Sequence, residues 1–288
     1  MKRVLITGTT GFVGKNILPL LKKKYDVFFP SRKELDLLDE NKISEYIRNN
    51  KIDVVLQCAN PNPVKNPDKD NLTTMFEDSM RIFYNFYNLR GCYDKMIYIG
   101  SGAEYAKTRD IVKAKETDIG KFIPEDSYGL AKLYMNELAR NSDNIYNLRL
   151  FGCYGPYDHS SKFITHAIDC CLKKEDITIR QNCVFDYIHV TDVAKAMIYM
   201  IDKEPEFHDY NVCSGKGIEL FEIASIVKEY MSSDSEIKIL KEGFNKEYTG
   251  SNERFLKETK GEIEFMDIIT GIKLQIKHEE EVYEKKSC

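Results

Sequence analysis

Tyr128 and Lys132, in Tyr128-Gly129-Leu130-Ala131-Lys132, put a phenol and an ammonium one helical turn apart on the same face. A free phenol titrates near ~10 and is a poor acid or base at neutral pH; a neighbouring cation favours the phenolate and brings the group closer to the useful range. Upstream, Ile97-Tyr98-Ile99-Gly100-Ser101 reads as a strand ending on a serine. Ligands of open α/β sheets sit at the carboxyl edge of the strands, so this hydroxyl can hold a carbonyl or alcohol oxygen beside Tyr128. Ser101, Tyr128 and Lys132 are the candidate catalytic residues. The spacing alone is common on helices that do no chemistry; here the serine and a glycine-rich loop precede it in a fixed order.

That loop is Thr7-Gly8-Thr9-Thr10-Gly11-Phe12-Val13-Gly14, directly after the first apolar run and opening the first helix. Glycines there serve a tight turn, close approach of backbone to a pyrophosphate, and close helix–strand contact. Gly8, Thr10, Gly11, Phe12, Val13 and Gly14 are the expected dinucleotide contacts, against the plainer reading of a structural turn. The second strand ends Phe29-Pro30-Ser31-Arg32, with no acid before Glu34. An acid at this place suits the ribose hydroxyl of NAD, whereas a guanidinium and a serine hydroxyl suit the 2′-phosphate of NADP. NADP is the expected cofactor, with NAD the alternative if Arg32 is only a solvated surface residue. Asp36 and Leu37 are expected to meet the adenine. Ala59, Asn60 and the stretch from Pro61 to Pro67 are expected beside the nicotinamide.

Short apolar runs at Val4–Ile6, Val27–Phe29, Val54–Cys58, Met96–Ile99 and Tyr146–Phe151 alternate with amphipathic segments near 12–24, 40–49, 73–89 and 127–141. This alternation predicts an α/β fold, a Rossmann-type doubly wound parallel sheet. After Gly155-Pro156 the regularity loosens, with a helix near 162–174, strands near 177–180, 209–213 and 236–240, and a helix near 219–230. The expected division is a dinucleotide-binding domain over 1–160, joined by 181–203, and a smaller C-terminal α/β lobe from 161–180 and 204–288. The charged tail from Glu279 is expected to fray.

The chain has 288 residues, 42% hydrophobic and 31% charged, which fits a globular protein rather than a disordered one. A net charge of -4 without a basic stripe excludes nucleic acid as the expected partner. The apolar run after Met1-Lys2-Arg3 stops at Thr7-Gly8, too short for a signal core or a membrane span. The eight cysteines show no CxxC pair and no His/Cys spacing suited to zinc. No metal is expected, the thiols are read as reduced, and the expected location is the cytoplasm. Cys170 and Cys171 read as a buried helix face.

Taken together, TGTTGFVG, GSGAEY, YGLAK, LRLFGCYGP and FDYIHVTDVAKA resemble, in content and order, the extended short-chain dehydrogenase/reductases of the NAD-dependent epimerase/dehydratase group. The likeness covers most of residues 3–215. It implies a nucleoside-diphosphate sugar in the C-terminal lobe and a homodimer packed through helices near 73–89 and 127–141. It also places Lys132 on the nicotinamide ribose. The stretch 31–39 is similar to the NADP-binding stretch of GDP-fucose synthases.

Departures from the resemblance narrow the chemistry. Sugar dehydratases carry an Asp-Glu pair after the strand-end hydroxyl; this chain has Gly102-Ala103, with Glu104 one position late and, on an extended backbone, facing the other way. The cysteine and histidine of GDP-fucose synthases align with Ala103 and Lys162. Gly152 stands for a common phosphate-binding Asn, and Phe185 for a common Arg. Lys162, Arg180 and Arg254 are therefore the candidate substrate-binding residues, each weighed against an ordinary surface role. His189 is expected to pack near the lobe junction; His159 lies with Lys162 in the region that covers substrate in the family. Two reactions need only the catalytic trio: reduction of a nucleotide-linked 4-keto sugar by NADPH, and C4 epimerisation with NAD. The cofactor stretch favours reduction. A catalytically idle cofactor-binding protein is the third reading.

Overall fold

The computed structural model describes residues 1–61 and 71–287. The first half runs β1 (Arg3–Thr7), α1 (Phe12–Leu21), β2 (Asp26–Phe28), α2 (Glu40–Asn50), β3 (Val54–Gln57), α3 (Met75–Asn88), β4 (Lys95–Ser101), β5 (Ile111–Ala114), α4 (Ser127–Arg140) and β6 (Ile145–Leu150). The second half continues β7 (Gly152–Tyr154), α5 (Phe163–Lys173), β8 (Ile177–Asn182), β9 (Val184–His189), α6 (Val190–Asp202) and β10 (Asp209–Val212). It closes with β11 (Gly217–Glu219), α7 (Leu220–Tyr230), β12 (Ile237–Phe244), β13 (Tyr248–Gly250), α8 (Glu253–Thr259) and α9 (Ile268–Ser287).

The central sheet has six strands in the order β10-β6-β4-β3-β1-β2, and each pairing is parallel. Successive residues of a strand face opposite ways, and the two faces carry different cores. Val4, Ile6, Leu56, Ile97 and Leu148 pack with Ile17 and Leu21 of α1 and Val193, Met197 and Met200 of α6. Leu5, Val55, Met96 and Tyr98 pack instead with Ile43 and Ile47 of α2, Phe83 and Phe86 of α3, and Met135 and Ala139 of α4. Helices start where the sequence offers an acceptor: Asp39 takes the Lys42 amide at 3.1 Å ahead of α2, and Asp126 takes the Gly129 amide at 2.8 Å ahead of α4. The direction of strand succession reverses between β1 and β3, which places the ligand-binding crevice at their carboxyl ends.

A second sheet runs β11-β9-β13-β5 with β7 on β9, and β8 pairs with β12. Its neighbouring core draws on α5, α7 and α9 through Ile164, Ile168, Cys170, Cys171, Ile223, Val227, Ile272 and Ile276. Three boundaries differ from the sequence expectation. Residues 209–212, assigned to the lobe, form the edge strand of the central sheet, because all of β10 is buried and Asp209 registers with Asn147. Residues 184–189, assigned to the dinucleotide domain, lie in the second sheet, whereas α6 packs on α1. The tail from Glu279 continues α9 to Ser287 instead of fraying, anchored further back by Ile272 and Ile276. No helix among the described residues is long and apolar enough to cross a membrane.

Candidate active site

At the crevice, Gly8 has φ +71°, and a Cβ there would lie 2.7 Å from the Ala59 amide nitrogen. The loops after β1 and β3 thus touch at the reversal point, and the Thr7 hydroxyl accepts from the Ala59 amide at 3.2 Å. A Cβ at Gly14 would lie 2.4 Å from the Gly8 carbonyl oxygen, so only glycine lets α1 come this close to the loop. No side chain caps the start of α1 at Gly11, and an uncapped helix start behind a glycine loop suits a phosphate. After β2, Ser31 and Arg32 are exposed, and the Glu34 carboxylate folds back to accept the Ser31 amide at 2.7 Å. Asp36 is exposed and Leu37 half-buried in the following turn. Asn60 donates to the Pro61 carbonyl; the rest of the stretch expected beside the nicotinamide, from residue 62, lies outside the described residues. The glycine cradle and the exposed turn fit a dinucleotide.

Ser101 ends β4, buried, and interacts with the Tyr128 phenol at the start of α4. Lys132 lies one turn on, its ammonium 5.9 Å from the Tyr128 ring centroid and donating to the Ile99 carbonyl at 2.7 Å. Burial pushes the Lys132 ammonium down to about 8, against the pull of the Glu104 carboxylate. Burial also pushes the Tyr128 phenol up, and the hydrogen bond with Ser101 only partly offsets it. The sequence expectation was the reverse, a phenol lowered by its cation. The cause is direction: the ammonium turns to the β4 backbone, so desolvation dominates at the ring. A phenol of this kind holds its proton at neutral pH, so the group facing a substrate oxygen is the neutral phenol.

A family model described as NAD dependent epimerase/dehydratase family matches residues 4–213. The chain belongs to that family. It is therefore an NAD(P)-dependent enzyme. Among curated proteins it is 28% identical over 191 residues to GDP-L-colitose synthase of Yersinia pseudotuberculosis, covering 60% of this chain and 59% of that one. It is 26% identical over 267 residues to CDP-abequose synthase of Salmonella muenchen, covering 82% and 83% of the two chains. A GDP-L-fucose synthetase of Naegleria fowleri bound to NADP shares the fold, with TM-score 0.84, 16% identity and coverage of 98% and 94%.

Within this family fold, the departures acquire physical reasons. A Cβ at Gly102 would lie 2.5 Å from the Tyr248 hydroxyl, so no acidic side chain fits there. Ala103 is fully buried. Glu104 sits on a short 3-10 turn rather than an extended backbone, and its carboxylate turns inward to Arg149 at 2.7 Å. At Gly152 a Cβ would meet the Asp186 carbonyl oxygen at 2.7 Å, which leaves no room for an asparagine. Phe185 is instead one ring of an aromatic group, 5.8 Å from Tyr187 and 5.3 Å from Tyr248.

The three substrate candidates are not brought together. Lys162 is exposed at the start of α5, within electrostatic reach of Lys107, whose ammonium stands 5.1 Å from the Tyr248 ring centroid. Arg180 stands exposed on β8. Arg254 is placed elsewhere: it donates to the Asp209 carboxylate at 2.8 Å and to its carbonyl at 3.1 Å. Asp209 pairs with Asn147, three residues below the level of Ser101 on the sheet, roughly 10 Å away along the strands. Arg254 thus holds α8 to β10, away from the level of Ser101. His189 is buried, caps α6 through Thr191 and lies edge-on to Tyr154 at 5.2 Å.

Sequence reasoning missed two residues. Tyr248, from β13 in the second sheet, brings a second phenol to the Ser101 hydroxyl, its ring 5.1 Å from Phe151. Glu104 accepts the Ser101 amide at 2.9 Å, while the Ser101 hydroxyl accepts the Ala103 amide at 3.2 Å. The Ser-x-x-Glu spacing of 101–104 is a capping-box signature and was legible. Nothing in the local sequence around Tyr248 connects it to Ser101.

Proposed function

We propose that this enzyme reduces the 4-keto group of a nucleoside-diphosphate sugar with NADPH. The observation that carries the reading is the proton-holding Tyr128 phenol on Ser101, at a strand end where neither Gly102 nor Ala103 supplies an acid for dehydration. The names of the two curated relatives, a GDP-sugar and a CDP-sugar synthase, support the substrate class. Ser31 and Arg32, with the nearer acid Glu34 engaged by the Ser31 amide, support NADP.

When bound, the nicotinamide supplies the hydride that reaches the sugar carbon. Ser101 holds the keto oxygen, and Tyr128 transfers its phenolic proton to that oxygen as the bond to carbon forms. The product is an alcohol, and Tyr128 regains a proton from solvent. Lys132 keeps a positive charge beneath the phenol as negative charge develops on it. Exposed Lys162, within electrostatic reach of Lys107, contacts the substrate diphosphate in this reading; Arg180 remains a candidate for its distal end. A homodimer through α3 and α4 belongs to the same reading, supported by exposed Tyr84 and Tyr134 on those helices.

The test is NADPH consumption, followed by absorbance, with a panel of nucleoside-diphosphate 4-keto sugars. Consumption with formation of a 4-hydroxy product supports the reading. Interconversion of unmodified nucleotide sugars without net NADPH use replaces it with C4 epimerisation.

A further inference from the structure

We propose that Glu104 is a positioning residue, holding the serine of the site in place by hydrogen bonding and the lysine in its charged form by proximity. Its side chain is fully buried, and its two oxygens divide the work. One accepts the Ser101 amide at 2.9 Å, closing a reciprocal cap in which Ser101 in turn accepts from Ala103. The other takes Arg149 Nε at 2.7 Å, and Asn147 Nδ2 donates to both, at 3.3 and 3.2 Å. Arg149, itself fully buried, is fixed at its far end by Asp209 at 3.0 Å and Asn211 at 3.0 Å. Gly100 leaves the space this group needs, since a Cβ there would lie 2.7 Å from a Glu104 oxygen.

The carboxylate also acts electrostatically on Lys132: Glu104 accepts the Ser101 amide and Lys132 donates to the Ile99 carbonyl, two residues apart on β4. Among the described residues, the other groups around that ammonium are the Tyr128 and Tyr98 rings, each 5.9 Å away, the Ile99 carbonyl and the Cys58 thiol. Burial pushes the Cys58 thiol up to about 12, so it is uncharged at neutral pH. Among the described residues, Glu104 is then the group that supplies negative charge to Lys132. Removing that charge lowers Lys132 further and moves the loss of its proton to lower pH.

The inference rests on the proposed roles of Ser101, Tyr128 and Lys132, so its test includes a reading that needs no substrate. Lys132 is titrated by NMR on lysine-labelled full-length protein, and the pH profile of kcat is measured alongside. In Glu104→Gln, which keeps an acceptor for the Ser101 amide, both the Lys132 midpoint and the alkaline limb of kcat should fall by about one pH unit. In Glu104→Asp, which keeps the charge on a shorter arm, the midpoint should stay while kcat drops roughly tenfold with little change in KM. An unmoved Lys132 midpoint in the Gln variant, or full kcat in the Asp variant, overturns the proposal. If the Gln variant does not fold, the Asp variant decides alone: a retained midpoint with reduced kcat supports it, and a lowered midpoint or full kcat contradicts it. Should no 4-keto sugar be reduced by the native enzyme, the proposed function fails while the titration still judges Glu104.

Discussion

The carboxyl edge of β4 and the mouth of the second sheet supply the site in different ways. At the edge, Ser101, Tyr128 and Lys132 stand on regular elements whose backbones fix them, and Ser101 is bonded on both sides. At the mouth, Tyr248, Phe185 and Lys107 come from short strands and a loop; Tyr248 and Phe185 are partners across β13 and β9, and ring contacts and a cation add to that pairing. The first arrangement holds an atom in place for chemistry. The second, in the proposed reading, offers rings and a cation to the ligand.

Several substitutions would break or sharpen that contrast. Tyr128→Phe strikes the edge hardest: kcat should fall by up to ~10⁴-fold while NADPH affinity, measured by fluorescence titration, changes little. Arg149→Met leaves Glu104 buried without its cation, while Asp209 keeps Arg140 and Arg254, and urea denaturation should show a loss of about 3–5 kcal/mol. Arg32→Ala should weaken NADPH binding by about 10- to 100-fold and leave NADH unaffected, since a charge-assisted phosphate contact disappears. Tyr248→Phe, at the mouth, should lower kcat only about tenfold, because Ser101 keeps Tyr128 as its partner. If Tyr248→Phe cost as much as Tyr128→Phe, the division between edge and mouth would be wrong.

A pH profile adds a further check. Reduction needs Lys132 charged, and burial places that ammonium at about 8. The rate should therefore hold below that value and decline as pH rises through it, with Tyr128, pushed above its ordinary range, contributing no loss at neutral pH. A rate that climbs through pH 8 would require the phenolate as the working form.

What could be read in the sequence follows the same line. The glycine loop, the strand-end serine and the tyrosine–lysine pair were legible because backbone geometry dictates their residue types and spacing. The long buried strands and the amphipathic helices were legible by period. β5, β7, β11 and β13 were not: three or four residues carry no period, and they form only because distant segments offer them partners. Arg254 illustrates the harder case. Its charge marked it for substrate, but Asp209, far off in sequence, claims it. The rise of the Tyr128 phenol was equally hidden, since spacing gives the neighbour and only coordinates give where the ammonium points.

The central claim is hydride delivery to a keto carbon with Tyr128 as the acid. It is tested most directly with NADPH carrying deuterium at the transferable position and a nucleoside-diphosphate 4-keto sugar. The expected result is one deuterium at C4 of the product for each NADPH consumed, and none in the Tyr128→Phe variant. Deuterium-free inversion at C4 of a nucleotide sugar, with NADPH left intact, would contradict it.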